Sequence, residues 1–351
     1  MSFLRRSFFW PLLALAFLAA GLAPATARTV TDQLNRTVTV PDEVNRIVVL
    51  QHQTLDILVE LGAADKIVGV VDKWQSLIPG LDKYAPRLAD LPKPGGLSTV
   101  NVEEVLRLKP DVVFVTNYAP AAMIDQLAQA GLPVVAISLS KGEGVEAPKL
   151  NPTFADDDYA YSEGLKIGVR LIGDIVGKRD RADQLIDYAF GQRKLVEDRV
   201  AGIPDAERVR LYMANPDMNT YGSGKYTGVI MKRSGGINVA EGVRGATKVS
   251  MEDVLAWNPQ VIFVQDRYAP VVDEIKEGAA WQPIDAVKDG RIYLTPEYVK
   301  PWGYPLPEAL ALGELWMAKK LYPDRFADVD MQEKVDAYYT QFYGQTYTGP
   351  N

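Results

Sequence analysis

The fold is decided by a repeated stretch: NVEEVLRLKPDVVFV at residues 101–115 returns as VSMEDVLAWNPQVIFV at residues 249–264. In each copy, a residue suited to cap a helix precedes a short amphipathic segment that carries a glutamate in its first turn and stops before a proline. An apolar run follows, which is typical of a buried strand. A helix followed by a strand occurs in any α/β protein, but the shared spacing of glutamate, proline and strand favours a true repeat.

Both halves alternate strands and helices around the repeated stretch. Strands are predicted at 46–50, 67–71, 112–116 and 134–137, and again at 208–214, 261–265 and 291–294. Near-continuous apolar strands separated by helical patterns predict parallel sheets covered on both faces. Residues 157–202 have helical spacing, and Gly177 is compatible with a break or a kink. We therefore predict an α/β fold: two Rossmann-like lobes, residues 28–156 and 203–351, joined by one long helix over residues 157–202.

Composition excludes several classes of function. The chain has 351 residues, 47% hydrophobic and 24% charged, which suits about two globular domains. Its net charge of −7 disfavours nucleic-acid binding, because proteins with that function are normally basic. It has no cysteine and a single histidine, His52, so disulfides, thiolate metal sites, iron–sulfur clusters and two-histidine sites are excluded.

Residues 1–27 have the pattern of a cleavable export signal. Two arginines precede an apolar run from Phe8 to Ala20, and an A-x-A sequence ends at Ala27. A run of about 13 residues is shorter than the ~20 residues of a membrane-spanning helix, which disfavours a membrane anchor. We expect cleavage after Ala27 and a periplasmic location. Because paired arginines also occur in twin-arginine signals, the general secretory and twin-arginine routes both stay open.

Several stretches outside the repeat resemble one known family. They are RIVVL at 46–50, TLDILVELG at 54–62, PGG at 94–96, SGGINVA at 234–240 and AVKDGRIY at 286–293. Together and in this order, they resemble the periplasmic solute-binding proteins of ABC importers for ferric siderophores, haem and cobalamin. The resemblance implies a ligand cleft between the lobes, a stiff connection through one helix, and delivery of the ligand to an inner-membrane permease with its ATPase. We expect the protein to be a monomer.

The resemblance also implies where the permease docks. In this family a glutamate on each lobe pairs with permease arginines, and the matching positions are Glu103 and Glu252. Two carboxylates on one rim can form charge-assisted hydrogen bonds with guanidinium groups. The alternative is that each glutamate only favours the positive start of its own helix. Their recurrence at equivalent points in both halves favours docking.

Ligand-binding residues are expected in the loops after the strands, because ligands of open α/β sheets bind beyond the strands' carboxyl ends. These loops are aromatic and cationic, and Asp266 is their only clear carboxylate. The candidates are His52, Trp74, Tyr118, Tyr221, Lys225, Arg267, Tyr268, Trp302 and Tyr304, with Arg244 and Lys300 as further cations. The set disfavours a bare metal ion and favours an anion packed against aromatic rings. Each aromatic residue taken alone fits ordinary packing equally well, and His52 fits a plain loop histidine.

The leading functional hypothesis is a binding protein for an anionic metal chelate, in the first instance a ferric siderophore. One alternative is a molybdate or tungstate oxyanion, which needs a tight ring of hydrogen-bond donors. Haem and cobalamin are further alternatives, and His52 or a tyrosine could serve as the axial ligand of haem. An exported hydrolase is a distant alternative, because the sequence has no G-x-S-x-G motif and no evident carboxylate pair. We therefore predict no enzyme, no catalytic residue and no cofactor, and the identity of the ligand stays open.

Overall fold

The structure, a computed structural model, describes residues 26–349. Residues 1–25 of the predicted export signal lie outside the described residues. Within residues 26–349, no helix is both long enough and apolar enough to cross a membrane. Two four-stranded sheets, one in each half of the chain, organise the described residues.

The first lobe consists of an antiparallel hairpin followed by a parallel four-stranded sheet with its helices. The strands are β1 (Ala27–Thr31), β2 (Thr37–Pro41), β3 (Ile47–Val49), β4 (Ile67–Val70), β5 (Val112–Thr116) and β6 (Val134–Ile137). The helices are α1 (His52–Glu60), α2 (Trp74–Leu77), α3 (Leu81–Tyr84), α4 (Val102–Leu108) and α5 (Ala121–Gln129). The order of the parallel sheet is β4-β3-β5-β6. Every residue of β3, β5 and β6 is buried, as expected for strands covered on both faces.

Two helices follow where the sequence predicts one. Helix α6 (Asp157–Val176) ends at Gly177, whose φ of +71° is a backbone conformation that favours glycine, and α7 (Arg179–Val200) begins after Lys178. The two helices pack antiparallel, since Arg170 Nε lies 2.7 Å from Asp183 Oδ1 across the turn. The predicted segment 157–202 is therefore a helical hairpin with its break at Gly177.

Helix α7 is the long helix that joins the lobes. Near its start, Arg181 Nε donates a hydrogen bond to the Glu60 carbonyl of the first lobe at 2.7 Å. At its end, the side chain of Val200 packs against Gly235 of the second lobe. The prediction of a fold with two lobes joined by one long helix is confirmed; α6 packs against α7 and also bonds to the second lobe, where Asp157 Oδ2 accepts from the Gly224 N–H at 2.8 Å.

The second lobe repeats the topology of the first. Its strands are β7 (Arg210–Ala214), β8 (Asn219–Tyr221), β9 (Ile237–Asn238), β10 (Ala246–Lys248), β11 (Val261–Val264) and β12 (Ile292–Leu294). Its helices are α8 (Tyr226–Arg233), α9 (Met251–Trp257), α10 (Pro270–Glu277) and α11 (Asp285–Lys288). The parallel sheet has the order β9-β7-β11-β12, and β8 pairs with β10 in a separate antiparallel pair. In both sheets, the first strand along the chain therefore lies between the second and the third.

The chain finally returns to the first lobe. A π-helical segment (Ala309–Gly313) leads into α12 (Glu314–Leu321), and α13 (Met331–Phe342) follows. The Tyr338 hydroxyl of α13 donates to Glu60 Oε1 at 2.5 Å, and Arg181 Nη2 donates to the Phe342 carbonyl at 3.0 Å. The prediction assigns residues 203–351 to the second lobe. In the structure, the last helix of this range, α13, packs against the first lobe instead.

Candidate functional site

Helix α1 directs its positive end at the interface between the lobes. All nine of its residues are buried, and its first residue, His52, lies against Trp302, with ring centroids 5.6 Å apart. The first backbone N–H groups of a helix have no partner within the helix and give its start a partial positive charge. No acidic residue in the first turn of α1 offsets that charge. The surroundings of His52 are therefore electrostatically suited to an anion.

Arg267 supplies a full positive charge at the same place. Its guanidinium carbon lies 4.7 Å from the centre of the Trp302 ring, within the range of a cation–π contact. Its Nε donates to Gln265 Oε1 at 2.9 Å, and its Nη1 donates to the Leu77 carbonyl at 3.4 Å. Leu77 belongs to α2, which Trp74 begins. Arg267 therefore connects the loop after β11 in the second lobe with the helix after β4 in the first.

Buried side-chain nitrogen atoms near Arg267 and at the start of α2 have no hydrogen-bond partner among residues 26–349. They are Trp74 Nε1, Gln265 Nε2, Trp302 Nε1 and His52 Nδ1. The first three are N–H donors, and His52 Nδ1 is a donor in one of the two neutral tautomers. Leaving a donor buried and unpaired costs ~1–3 kcal/mol, so folded proteins rarely collect several at one place. We call these four residues, together with Arg267, the donor pocket.

Burial determines the charge state of the titratable groups at the donor pocket. Burial, and then the charge of Arg267, lower the pKa of His52 to about 3, so this imidazole is neutral at physiological pH. Burial raises the pKa of Asp266 to about 6, and both of its carboxylate oxygens are buried without a hydrogen-bond partner among the described residues. At neutral pH the His52 imidazole is therefore uncharged, whereas the Arg267 guanidinium and most of the Asp266 carboxylate are charged.

A second group of predicted residues forms an aromatic and cationic contact between the lobes. Tyr118 of the first lobe stacks on Tyr304, with ring centroids 5.9 Å apart. Lys225 Nζ lies 4.9 Å from the centre of the Tyr304 ring and donates to the Leu150 carbonyl. Burial lowers the pKa of Lys225 to about 8, because the charged ammonium has lost much of its hydration. This lysine therefore carries a charge at neutral pH and begins to lose it at mildly alkaline pH.

Tyr221 and Tyr268 complete the placement of the predicted residues. The side chains of Tyr221 and Lys225 both approach Gly303, the neighbour of Trp302. The Tyr268 ring lies 5.5 Å from the Arg267 guanidinium carbon and packs against the apolar core of the second lobe. The structure thus brings the nine candidates to one interface, with Tyr268 at its edge. Their role in binding a ligand stays a prediction.

A cluster of buried ions lies farther along α1, and sequence reasoning missed it. Lys300 Nζ forms ion pairs with Asp56 and with Glu308, and all three residues are buried. Tyrosine hydroxyls from α13 and the turn after it donate to Asp56, Glu60 and Glu308. We call the whole set the ion cluster: Asp56, Glu60, Lys300, Glu308, Tyr338, Tyr339 and Tyr343.

The ion cluster corrects one expectation about Lys300. Its position after a strand predicts a cation available to a ligand, but its ammonium is engaged by two carboxylates. Arg244, the other additional cation, is exposed. A signal for the cluster was present in the sequence, because Asp56 and Glu60 are the two charged residues in the otherwise apolar run 55–61. Charged residues one helical turn apart within a buried helix require partners from other elements.

A groove of about 910 Å³ lies outside the interface, between α6, α7 and α8. Of the nine candidates only Lys225 lines it, and charged residues along it pair with one another, as Asp158 does with Arg233. The unpaired donors lie in the donor pocket instead. We therefore place the candidate ligand site in the donor pocket rather than in this groove.

The two residues predicted to dock onto a permease occupy equivalent places. Glu103 lies in the first turn of α4 and Glu252 in the first turn of α9, and both are exposed. Neither side chain forms an ion pair within residues 26–349. Both carboxylates are therefore accessible to a partner.

Comparison with known proteins identifies relatives over most of the chain. The sequence profile of a family described as periplasmic binding protein matches residues 47–299. The molybdate-binding protein MolA of Haemophilus influenzae is 53% identical over 326 residues, covering 92% of this chain and 93% of that protein. The solved structure of that protein bound to molybdate matches with a TM-score of 0.90 at 53% identity, covering 92% of this chain and 100% of that one.

More distant relatives carry other names. YvrC of Bacillus subtilis, described as an uncharacterized ABC transporter substrate-binding lipoprotein, is 27% identical and covers 86% of this chain and 87% of its own. The Fe(3+)-citrate-binding protein YfmC of the same organism is 24% identical and covers 76% of this chain and 78% of its own. These relatives are named as solute-binding proteins and not as enzymes.

Proposed function

The chain belongs to the periplasmic binding protein family, and we propose that its ligand is an oxyanion of the molybdate and tungstate class. The protein is the periplasmic substrate-binding component of an ABC importer and not an enzyme. It would hold one oxyanion between its lobes and deliver that anion to an inner-membrane permease.

The observation that carries the proposal is the donor pocket. Trp74, Gln265 and Trp302 each bury an N–H group without a partner among the described residues. The Arg267 guanidinium contacts Gln265 and Trp302, and it donates to the Leu77 carbonyl of the helix that Trp74 begins. An oxyanion has several acceptor oxygens and no donor, so it can satisfy this set, and its charge strengthens each hydrogen bond. The positive start of α1 adds to the same field. A neutral ligand would gain less from these charges, and a cationic ligand would be repelled by the guanidinium.

A compact oxyanion suits this interface better than an organic metal chelate. Trp74, Trp302 and Tyr304 are buried, and rings from the two lobes contact each other at Tyr118 with Tyr304 and at His52 with Trp302. The aromatic surfaces that we expected to pack against a chelate pack against protein. The relative that is 53% identical is named for molybdate, which supports the same choice. We therefore place the oxyanion ahead of a ferric siderophore, haem or cobalamin.

Titration calorimetry with a panel of ligands tests the proposal. The panel contains molybdate, tungstate, sulfate, ferric citrate, a ferric hydroxamate, a ferric catecholate, haem and cobalamin. We expect saturable 1:1 binding of molybdate and tungstate, with quenching of tryptophan fluorescence because Trp74 and Trp302 lie in the donor pocket. Binding of a ferric chelate without binding of either oxyanion would overturn the proposal.

We also propose that Glu103 and Glu252 dock the protein onto the permease. Both are exposed, and both stand in the first turn of a capped helix that recurs in each lobe. The double variant Glu103→Ala, Glu252→Ala is expected to abolish molybdate uptake by cells while its molybdate affinity stays that of the wild type. Normal uptake by the double variant would remove the docking role.

Export is proposed to remove residues 1–27, so that the mature chain begins at Arg28. The Arg28 side chain donates to the Asp42 carbonyl at 2.7 Å and to the Asp174 carbonyl at 2.8 Å, which fixes this position to the hairpin and to α6. Intact-mass measurement of protein from the periplasmic fraction should give a chain that starts at Arg28. A mature chain that retains the apolar run would rule out this cleavage.

A further inference from the structure

Helices α4 and α9 are held in the same way at both ends. At the start of α4, Asn101 Oδ1 accepts from the Glu104 N–H at 3.1 Å, and at the start of α9, Ser250 Oγ accepts from the Asp253 N–H at 3.1 Å. Each helix has seven residues and ends at a residue with positive φ, Lys109 or Asn258. These capping interactions fix the orientation of both helices relative to their lobes.

An arginine completes each attachment. Arg46, next to β3, donates through Nη2 to the Leu108 carbonyl at 2.7 Å, and Arg210 of β7 donates through Nη2 to the Asn258 carbonyl at 3.0 Å. β3 and β7 occupy the same place in their sheets. The two lobes therefore present one helix each on equivalent and rigid supports.

Each of these helices exposes a leucine one turn after its glutamate. Leu106 is 43% exposed and Leu255 is 38% exposed, whereas the residue before each, Val105 or Val254, is fully buried. Only seven large hydrophobic side chains are so exposed among residues 26–349, and two of them fall on the equivalent position of the repeat. Residues three apart share a helix face, so each leucine lies beside its glutamate, Glu103 or Glu252.

We propose that Leu106 and Leu255 form, with Glu103 and Glu252, two copies of one contact surface for the importer's permease. The proposal rests on the proposed function, because it takes the partner from there. A surface that occurs twice, once on each lobe, fits a partner that presents the complementary surface twice, as two equivalent subunits do. The carboxylates steer association with a basic surface, and the leucines slow dissociation by burying apolar area.

Direct binding to the permease tests this surface without any ligand. The purified cognate permease–ATPase complex in lipid nanodiscs is immobilised, and ligand-free binding protein is titrated onto it by interferometry. Leu106→Gln and Leu255→Gln are each expected to weaken binding about fivefold, and the double variant about 25-fold. Ile167→Gln on α6 is the matched control, since Ile167 is 45% exposed and lies outside both helices; it should bind like the wild type.

Salt separates the two contributions at this surface. Raising the salt concentration should reduce the loss of permease affinity caused by Glu103→Ala with Glu252→Ala, because salt screens exposed charges. The loss of affinity in the leucine variants should not change with salt. Wild-type affinity in the double leucine variant would overturn the proposal. The proposal would also be overturned if sedimentation showed a dimer for the wild-type protein and a monomer for the double leucine variant. The leucines would then join two copies of the chain.

Molybdate calorimetry on the same preparations keeps the two proposals apart. If the wild type docks in a leucine-dependent way but binds no molybdate, the ligand assignment fails and the docking surface stands. If the leucine variants bind both molybdate and the permease like the wild type, the docking surface fails and the ligand assignment stands.

Discussion

Two buried polar regions lie along α1, and they differ in how many of their atoms are paired: in the ion cluster, only Glu60 Oε2 lacks a hydrogen-bond partner among the described residues. In the ion cluster, Lys300 pairs with Asp56 and Glu308, and the Tyr343 hydroxyl donates to Asp56 at 2.9 Å or to Glu308 at 3.0 Å. In the donor pocket, three side-chain N–H groups and His52 Nδ1 lack partners among the described residues. A paired buried region holds elements together, whereas an unpaired one that surrounds a cation is prepared for a ligand.

Proton binding reduces the net negative charge of the ion cluster. Its three carboxylates face one ammonium group, so all of them cannot be ionised at low cost. Burial and then the charge of Asp56 raise the pKa of Glu60 well above its ordinary value, and burial raises that of Glu308. Retention of a proton on Glu60 brings the cluster closer to neutrality without any ligand.

Lys300→Met is expected to have the largest effect, and it acts on folding. The change leaves Asp56 and Glu308 buried without their ammonium partner, which costs ~3–5 kcal/mol of the free energy of unfolding. Urea unfolding followed by circular dichroism measures the loss. Lys288→Met is the control, because its ion pair with Asp285 is exposed and should contribute ~0–1 kcal/mol. An equally small loss for Lys300→Met would erase the distinction between the two regions.

Arg267→Met is expected to have the largest effect on the ligand. It removes the cation of the donor pocket and should weaken molybdate binding about 100-fold, since hydrogen bonds to charged groups contribute ~1.5–3 kcal/mol each. Titration calorimetry gives the affinity, and thermal unfolding should show a much smaller loss of stability than Lys300→Met. Arg291→Met serves as the control, because Arg291 bonds to the Lys320 carbonyl at the surface. Unchanged molybdate affinity in Arg267→Met would mean that the anion binds elsewhere.

Trp302→Phe tests a single unpaired donor. Phenylalanine keeps an aromatic ring beside Arg267 and His52 but has no N–H, so molybdate affinity should fall about tenfold. Trp316→Phe is the matched control, since Trp316 is buried against Phe263 in the second lobe and away from the donor pocket. Equal affinities for the two variants would show that the Trp302 N–H does not contact the ligand.

The smallest expected effect is a pH dependence through Lys225. Burial lowers the pKa of Lys225 to about 8, so its ammonium loses its proton as the pH rises through that value. The positive charge beside the donor pocket is then present below pH 8 and lost above it, and molybdate affinity should fall a few-fold toward alkaline pH. Lys225→Arg keeps the charge and should flatten the profile between pH 7 and 9.5. The same decline in both proteins would exclude Lys225 as its cause.

The same lysine makes a separate prediction for the ligand-free protein. The pKa of Lys225 is lower in the folded chain than in the unfolded chain, so the unfolded chain binds more protons above pH 8. The contribution of Lys225 to the free energy of unfolding should therefore rise with pH between about 8 and the ordinary lysine pKa of ~10.4. Urea unfolding of wild type and Lys225→Met across this range isolates the contribution, and a flat difference would contradict it.

The sequence was sufficient for the lobes and for the position of the interface. The repeat at 101–115 and 249–264 predicts two similar sheets, and the structure has two sheets of the same topology. The rule that ligands bind beyond strand ends placed His52, Arg267 and Trp302 together, and their rings and guanidinium are in contact. These features depend on local patterns and on the general geometry of parallel sheets.

The pairing of the cations could not be read in the same way. Arg267 and Lys300 both follow strands of the second half and look alike in the sequence, yet Lys300 pairs with Asp56, which lies 244 positions away. The break at Gly177 was visible, but its outcome depends on how α6 packs against α7. Which cation stays available, and how closely the lobes meet, are properties of tertiary packing.

The most direct test is a crystal structure of the protein grown with tungstate, with data collected at the tungsten absorption edge. We expect one strong anomalous peak in the donor pocket, with oxygen atoms within hydrogen-bonding distance of Arg267 Nη2, Trp74 Nε1 and Trp302 Nε1. A peak in the groove beside α6, or donors in the pocket bonded only to protein atoms, would contradict it.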